Sequence, residues 1–296
     1  PIARQGLLLP GLSYIISMNS ERKAEPGLKS KIKTIEDLSL NAWPSHQMQI
    51  YDGWILRFSY FYTHRTNCIE QIGPSSIPLR DKLDYCEEVY ERWGTPAIYK
   101  ITPLINSSFD QKLTERGYHV AHVTEVMTME LKGPLPGEIP WKVELSPCIT
   151  SRWLEALFTM KGTVNQIHRK IVPSMYAAIP KDIIAASVLD KDQIVGTGLG
   201  ILDRDYVGLY AIHVAEDYRG SHMGRSICRA LLNAAARQGA SSAYLQVVQG
   251  NKPAKNLYRS LGFEDFYTYW FRQQYHVTKG DNHPSEERPF TSPLFS

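Results

Sequence analysis

At 296 residues the chain has room for two domains, each able to bury its own core. Hydrophobic residues at 43% and charged residues at 21% fit a folded globular protein and exclude a disordered one. The net charge is only +3, with lysines and arginines interspersed among acids, which argues against a nucleic-acid footprint, and no run approaches the ~20 apolar residues of a membrane helix.

In chain order, residues 1–33 read as an N-terminal extension. The apolar run Leu7 to Leu9 is broken by Pro10 and Gly11 and lacks an A-x-A cleavage site, so a signal peptide is disfavoured. The chain does not open on methionine while Met18 begins a polar stretch, and residues 1–17 are read as foreign to the native start. A first domain, residues 34–131, is then expected. A helix runs from Ile35 to Trp43 and stops at Pro44, followed by strands within Met48 to Phe61 that turn at Asp52-Gly53. A helix from Arg80 to Trp93, a strand from Ala97 to Ile101, a helix from Ser108 to Arg116 and a strand from His119 to Leu131 complete it.

Residues 132–140 hold three prolines and two glycines and read as a linker. The second domain, 141–275, is expected to carry helices at Ser151 to Met160 and Thr163 to Met175, then strands at Ile183 to Leu189, Val195 to Leu202 and Val207 to Val214. A helix at Met223 to Gln238, a strand at Ala243 to Gln249, a helix at Pro253 to Leu261 and a strand at Glu264 to Arg272 follow, and residues 276–296 form a tail. The alternation predicts an α/β (mixed α+β) fold. Cys68, Cys86, Cys148 and Cys228 lie far apart with no Cys/His cluster, so neither a metal site nor a disulfide framework is signalled, and a cytoplasmic protein with reduced thiols is expected.

Two stretches carry chemistry. Arg219-Gly220-Ser221-His222-Met223-Gly224-Arg225 joins a strand to a helix start, where unpaired N–H groups and the helix dipole suit a pyrophosphate, although such a turn also serves as a plain cap. Asn251-Lys252-Pro253-Ala254-Lys255-Asn256-Leu257-Tyr258-Arg259-Ser260-Leu261-Gly262-Phe263 follows the next strand. Helix punctuation explains Pro253 and Gly262, and core packing explains Leu257 and Phe263, but neither explains Asn251 or Tyr258.

The second stretch matches the N-x-x-A-x-x-L-Y-x-x-x-G-F pattern of GNAT acyltransferases, and the first resembles their Q/R-x-x-G-x-G/A loop, with His222 in place of the first glycine. The resemblance implies acetyl-CoA, or another short acyl-CoA, held by Arg219 to Arg225, Asn251, Ala254 and Tyr258, with no metal. It also implies that the strand Gly208 to Val214 splays from its neighbour, so that backbone groups of Ile212 and Val214, with His213 between them, hold the pantetheine arm in the gap. Tyr258 would protonate the leaving thiolate. For the base, His213 and Tyr210 are candidates, placed on opposite faces by strand alternation, and either is equally a structural residue.

The halves also resemble each other. Asn106 precedes Gly117-Tyr118 by eleven residues, as Asn251 precedes Gly262-Phe263, but Leu113 stands where Tyr258 would. The stretch Asp52 to Arg57, with Thr63, Arg65 and Asn67, is similar to the amino half of two-domain bacterial GNAT proteins. The expectation is two tandem GNAT-like domains, each a mixed, mostly antiparallel sheet flanked by helices, the first without a cofactor site. Arg57 and Arg65 are acceptor-binding candidates or structural pairs. The expected activity is N-acetylation of a primary amine on a small molecule or peptide; the alternative is a catalytically silent acyl-CoA-binding regulatory or assembly protein. A monomer or a homodimer paired through Phe266 to Phe271 is expected.

Overall fold

The structure is a computed structural model that describes residues 26–137 and 139–274. The expectations for residues 1–17 and 276–296 lie outside the described residues. The first helix, α1 (Pro26–Ala42), starts nine residues before the expected Ile35. Its lysines hid a helical stripe: Ile32, Ile35, Leu38 and Ala42 recur at three- and four-residue spacing, and all are buried. Strands β1 (Gln47–Tyr51) and β2 (Trp54–Phe58) follow, with Asp52 and Gly53 both at positive φ, as a two-residue hairpin turn requires. Next come β3 (Ile69–Gln71), α2 (Leu79–Arg92), β4 (Ile98–Ile101), α3 (Ser107–Glu115) and β5 (His119–Glu130).

The second half contains β6 (Glu144–Ser146), α4 (Ser151–Lys161), α5 (Gln166–Ala177), β7 (Asp182–Asp190), β8 (Gln193–Asp203) and β9 (Tyr206–Val214). It continues with α6 (Met223–Arg237), β10 (Ser242–Val248), α7 (Lys252–Ser260) and β11 (Glu264–Gln273). Strands β3 and β6, three residues each, are too short to leave a periodic signal. Helix α5 starts at Gln166 rather than Thr163 because the Asn165 side chain accepts from the N–H groups of Ile167 and His168 and so sets the cap.

Among the described residues eleven strands form one mixed sheet in the order β1-β2-β3-β4-β11-β5-β10-β9-β8-β7-β6. Only two neighbouring pairs are parallel, β3 with β4 and β9 with β10, one in each half. The halves trade their last strands. Strand β5, from the first half, lies between β11 and β10, while β11, from the second half, lies between β4 and β5. Neither half closes its sheet without the other. Strand β11 pairs with β5 from Glu264 to Gln273 and with β4 from Trp270 to Gln273.

Helices cover both faces. Beneath α6, the core joins Met223, Ile227 and Leu231 to Val207, Leu209 and Leu245; on the opposite face α4 and α5 pack Trp153, Phe158 and Tyr176 over Leu199 and Ile201. Alternate glycines let α6 come close: a Cβ on Gly198 would stand 2.4 Å from Ile227 and 2.9 Å from Ile212. In the first half, α2 and α3 close a core around Trp54, Tyr90 and Tyr99. Helix α1 lies over the seam between the halves, where Ile32, Ile35 and Leu38 meet Tyr244, Tyr267, Tyr269 and Phe271. Among the described residues no helix is long and apolar enough to cross a membrane.

Candidate active site

The site begins where β9 and β10 part. Their parallel pairing runs from Ser242 opposite Tyr206 to Leu245 opposite Leu209 and then stops, leaving the ends of both strands unpaired with each other. A bulge in β9 sets the parting. On β8, Thr197 and Leu199 are two residues apart, but their partners His213 and Tyr210 are three apart, and the extra residue is Ala211 at φ +50. The Thr197 hydroxyl donates to the Ala211 carbonyl at 3.2 Å.

The bulge overturns the alternation argument. One extra residue brings Tyr210 and His213 to the same side, and both line a cavity of about 230 Å³ together with Ile212 and Tyr258. Burial, reinforced by the positive charges of Lys161 and Arg219, lowers the His213 pKa to about 4, so the imidazole is neutral at physiological pH. Burial pushes the Tyr210 phenol up to about 12, and its hydroxyl lies 2.7 Å from that of Tyr244. Burial likewise holds the Tyr258 phenol well above its ordinary value, with the nearby Cys228 adding in the same sense, and the ring packs edge-on against Phe263. The Tyr258 phenol therefore keeps its proton at neutral pH.

His213 has a consequence for stability. Its folded pKa is depressed below the unfolded value of 6.5, so the unfolded chain binds more protons as pH falls from 6.5 to about 4. The folded state should lose about 3 kcal/mol across that window. Urea unfolding of a His213→Gln variant at pH 7 and pH 4.5 is expected to show a smaller loss than the wild type.

The first half supplies one wall. Arg65 lines the cavity, as do Trp43 and Thr63. Arg57 does not: it is buried and donates to the backbone carbonyls of Trp43 and Arg65 and to Glu70 at 3.4 Å. That corrects its reading as an acceptor contact; it is a brace for the segment carrying Arg65. Leu157, Lys161 and Tyr176, from α4 and α5, and Gln246 of β10 were not singled out in the sequence and also line the cavity. They are ordinary helix and strand residues there, and only tertiary placement reveals them.

Near the mouth of the gap lies the loop of Arg219 to Arg225. Helix α6 has no side-chain cap, so the N–H groups of Met223, Gly224 and Arg225 are not taken by a capping group. Gly224 lets α6 approach α7, since a Cβ there would sit 3.3 Å from Leu257. Ser221 is held by its own Oγ, which donates to the Tyr218 carbonyl at 2.6 Å, and by Trp141 Nε1, which donates to its carbonyl at 2.9 Å. Arg219 is exposed beside Glu216 at 3.7 Å. Asn251 caps α7 by accepting from Ala254 N–H at 3.2 Å.

His222 occupies the left-handed N-cap position at φ +63, beside Gly220 at φ +78. His222 lines a separate depression with Pro140, Arg225, Ser226 and Arg229. The strain is the cost. An L-residue in this region costs roughly 1–2 kcal/mol, so His222→Gly is expected to raise unfolding stability by about 1 kcal/mol without weakening acetyl-CoA binding. A lower melting temperature in the glycine variant would refute this.

Parallel strands that part beside an uncapped helix start form the arrangement of GNAT acetyltransferases, and the fold is shared with solved members of that class. The chain resembles a GCN5-related N-acetyltransferase from Kribbella flavida at TM-score 0.62 and 15% identity, covering 82% of this chain and 94% of that one. It also resembles a tandem GNAT protein from the clavulanic acid biosynthesis pathway at TM-score 0.56 and 11% identity, covering 70% of this chain and 75% of that one. Residues 29–272 match the family model described as Probable histone acetyltransferase Rv0428c C-terminal, and the chain belongs to that family. Among curated proteins, the uncharacterized N-acetyltransferase YobR of Bacillus subtilis is 25% identical over 81% of this chain and 98% of its own length. The mycothiol acetyltransferase of Thermobifida fusca is 40% identical over 68 residues, 23% of this chain and 21% of its own length.

Proposed function

We propose that this chain transfers the acetyl group of acetyl-CoA, or a similarly short acyl group, to a primary amine on a small molecule. The parting of β9 from β10 after Leu209 and Leu245, with Tyr258 and His213 in the gap, carries the proposal. Bound acetyl-CoA supplies an acyl group activated as a thioester. Met223, Gly224 and Arg225 offer N–H groups to its pyrophosphate, and the backbone around Ile212 and Val214 takes the pantetheine arm.

His213, neutral in the cavity, accepts the proton that the amine loses as its C–N bond forms. Tyr258 gives its phenolic proton to sulfur as the C–S bond breaks, so no covalent enzyme intermediate is needed. We place the functional boundaries at 34–131 and 141–275, with 132–140 as the crossing. The first unit is a partner without a donor site, since Leu113 is buried core where the second unit has Tyr258. The buried thiols of Cys68, Cys86 and Cys228 and the use of acyl-CoA fit a cytoplasmic setting.

Two measurements test this. Acetyl-CoA should raise the melting temperature, and a panel of amines should release free CoA. A melting shift with no CoA released from any amine would favour the silent acyl-CoA-binding reading, and no shift would defeat both.

A further inference from the structure

The charges of the cavity are one-sided. Arg65 and Lys161 line it, and no aspartate or glutamate does. Lys161 is engaged by the Tyr62 hydroxyl at 2.7 Å on the exposed side. Arg65 is the more telling, because among the described residues no carboxylate stands within 4 Å of its guanidinium. Buried cations are ordinarily paired with an anion.

The guanidinium is nonetheless held firmly. Arg65 Nε donates to the Tyr269 hydroxyl at 2.7 Å, and that hydroxyl donates to Gln246 Oε1 at 2.7 Å. Gln246 Nε2 donates to Ser39 Oγ at 2.7 Å, which donates to the Ile35 carbonyl at 2.8 Å. Every member uses its proton in the same direction, so the chain fixes how Arg65 is turned. Arg57 also donates to the Arg65 carbonyl at 2.5 Å, fixing the backbone. The relay crosses both halves, running from the first half through β11 and β10 and back to α1. A guanidinium oriented this carefully, facing a cavity without a counter-ion, is preorganised for a planar anion.

The geometry points to Arg65 as the recognition site for a carboxylate on the acceptor, making the substrate a small amine that also carries an acidic group, as an amino acid does. This rests on the acetyl-transfer reading above and names the class of its substrate. The cavity of about 230 Å³ fits a small acceptor rather than a long chain. A lysine-rich peptide would bring further positive charge to Arg65 and Lys161.

The test compares matched acceptors with the full chain and saturating acetyl-CoA: the proteinogenic L-amino acids, their α-carboxamides and a lysine-rich peptide, read by CoA release. In parallel, calorimetric titration of the same acids and amides into the CoA-bound protein reads binding without turnover. At least one acid is expected to exceed its amide by roughly 10- to 100-fold in kcat/KM and in affinity. Arg65→Met should erase that preference while keeping the acetyl-CoA melting shift, and Arg65→Lys should retain part of it. Equal use of acids and amides, or preference for the peptide, overturns the carboxylate assignment while leaving acetyl transfer intact. Release of CoA from no acceptor, with no acid bound to the CoA complex, overturns both. Should Arg65→Met fail to fold, the wild-type acid-to-amide ratio decides alone.

Discussion

Replacing Tyr258 by phenylalanine is expected to lower kcat by roughly 10²- to 10⁴-fold, the usual worth of a positioned proton donor. The hydroxyl is the only part removed. Its ring packs edge-on against Phe263 with centroids 6.1 Å apart, and phenylalanine keeps that contact, so folding should be preserved. Acetyl-CoA should still raise the melting temperature, and KM for the donor should change little, which separates a lost proton from a lost binding surface. Because burial holds the phenol above its ordinary value of 10.0, the group itself produces no fall in rate as pH rises from about 7 to 9. Free-thiol release against pH reads both effects. Undiminished kcat in the phenylalanine variant would remove Tyr258 from the chemistry.

Much of the second half was legible because its signals are local. Tyr258 and Gly262, the latter as a left-handed exit, are set by one helix, and the sequence places each within a residue of its position, while Asn251, which helix punctuation did not explain in the sequence, is that helix's cap. The repeat was legible for the same reason. Asn106 caps α3 by accepting from Ser108 N–H, Gly117 takes φ +86, and β5 follows as β11 follows Gly262. What was hidden depends on non-local pairing. Strand alternation put Tyr210 and His213 on opposite faces, and only the register against β8 exposes the extra residue Ala211.

The exchange of β5 and β11 was hidden more deeply. Both strands read as the final strand of their own half, and nothing in a period-2 pattern says which neighbours a strand will choose. Trp43, Arg65 and Gln246 share a cavity for the same tertiary reason, although Trp43 and Gln246 lie far apart in the chain. The exchange also ties the second half to the first. Without the first half, the second lacks β5 between β10 and β11, and it lacks the wall on which Arg65 stands.

The anchor of that exchange should carry the largest effect on stability. Arg272, near the end of β11, donates from Nε and Nη2 to the two oxygens of Asp110 on α3, at 2.7 Å each, and from Nη1 to the Tyr118 carbonyl at 3.3 Å. Trp270 Nε1 donates to the same carboxylate at 3.0 Å. Asp110 and Arg272 are both buried, so Asp110→Ala strands a guanidinium and an indole N–H, and a loss of about 3–5 kcal/mol is expected. The partners belong to different halves, and β11 carries Tyr269, the residue that turns Arg65. Weakening the anchor should therefore loosen β11 against β4 and raise the acceptor KM before the chain unfolds. Urea unfolding of Asp110→Ala, Arg272→Met and the double variant separates the pair from its parts. If the loss comes from the charge left stranded and not from lost packing, the double variant should recover most of the stability that Asp110→Ala loses, because no buried charge is then left unpaired. A double variant as weak as the sum of the two single ones would refute that account.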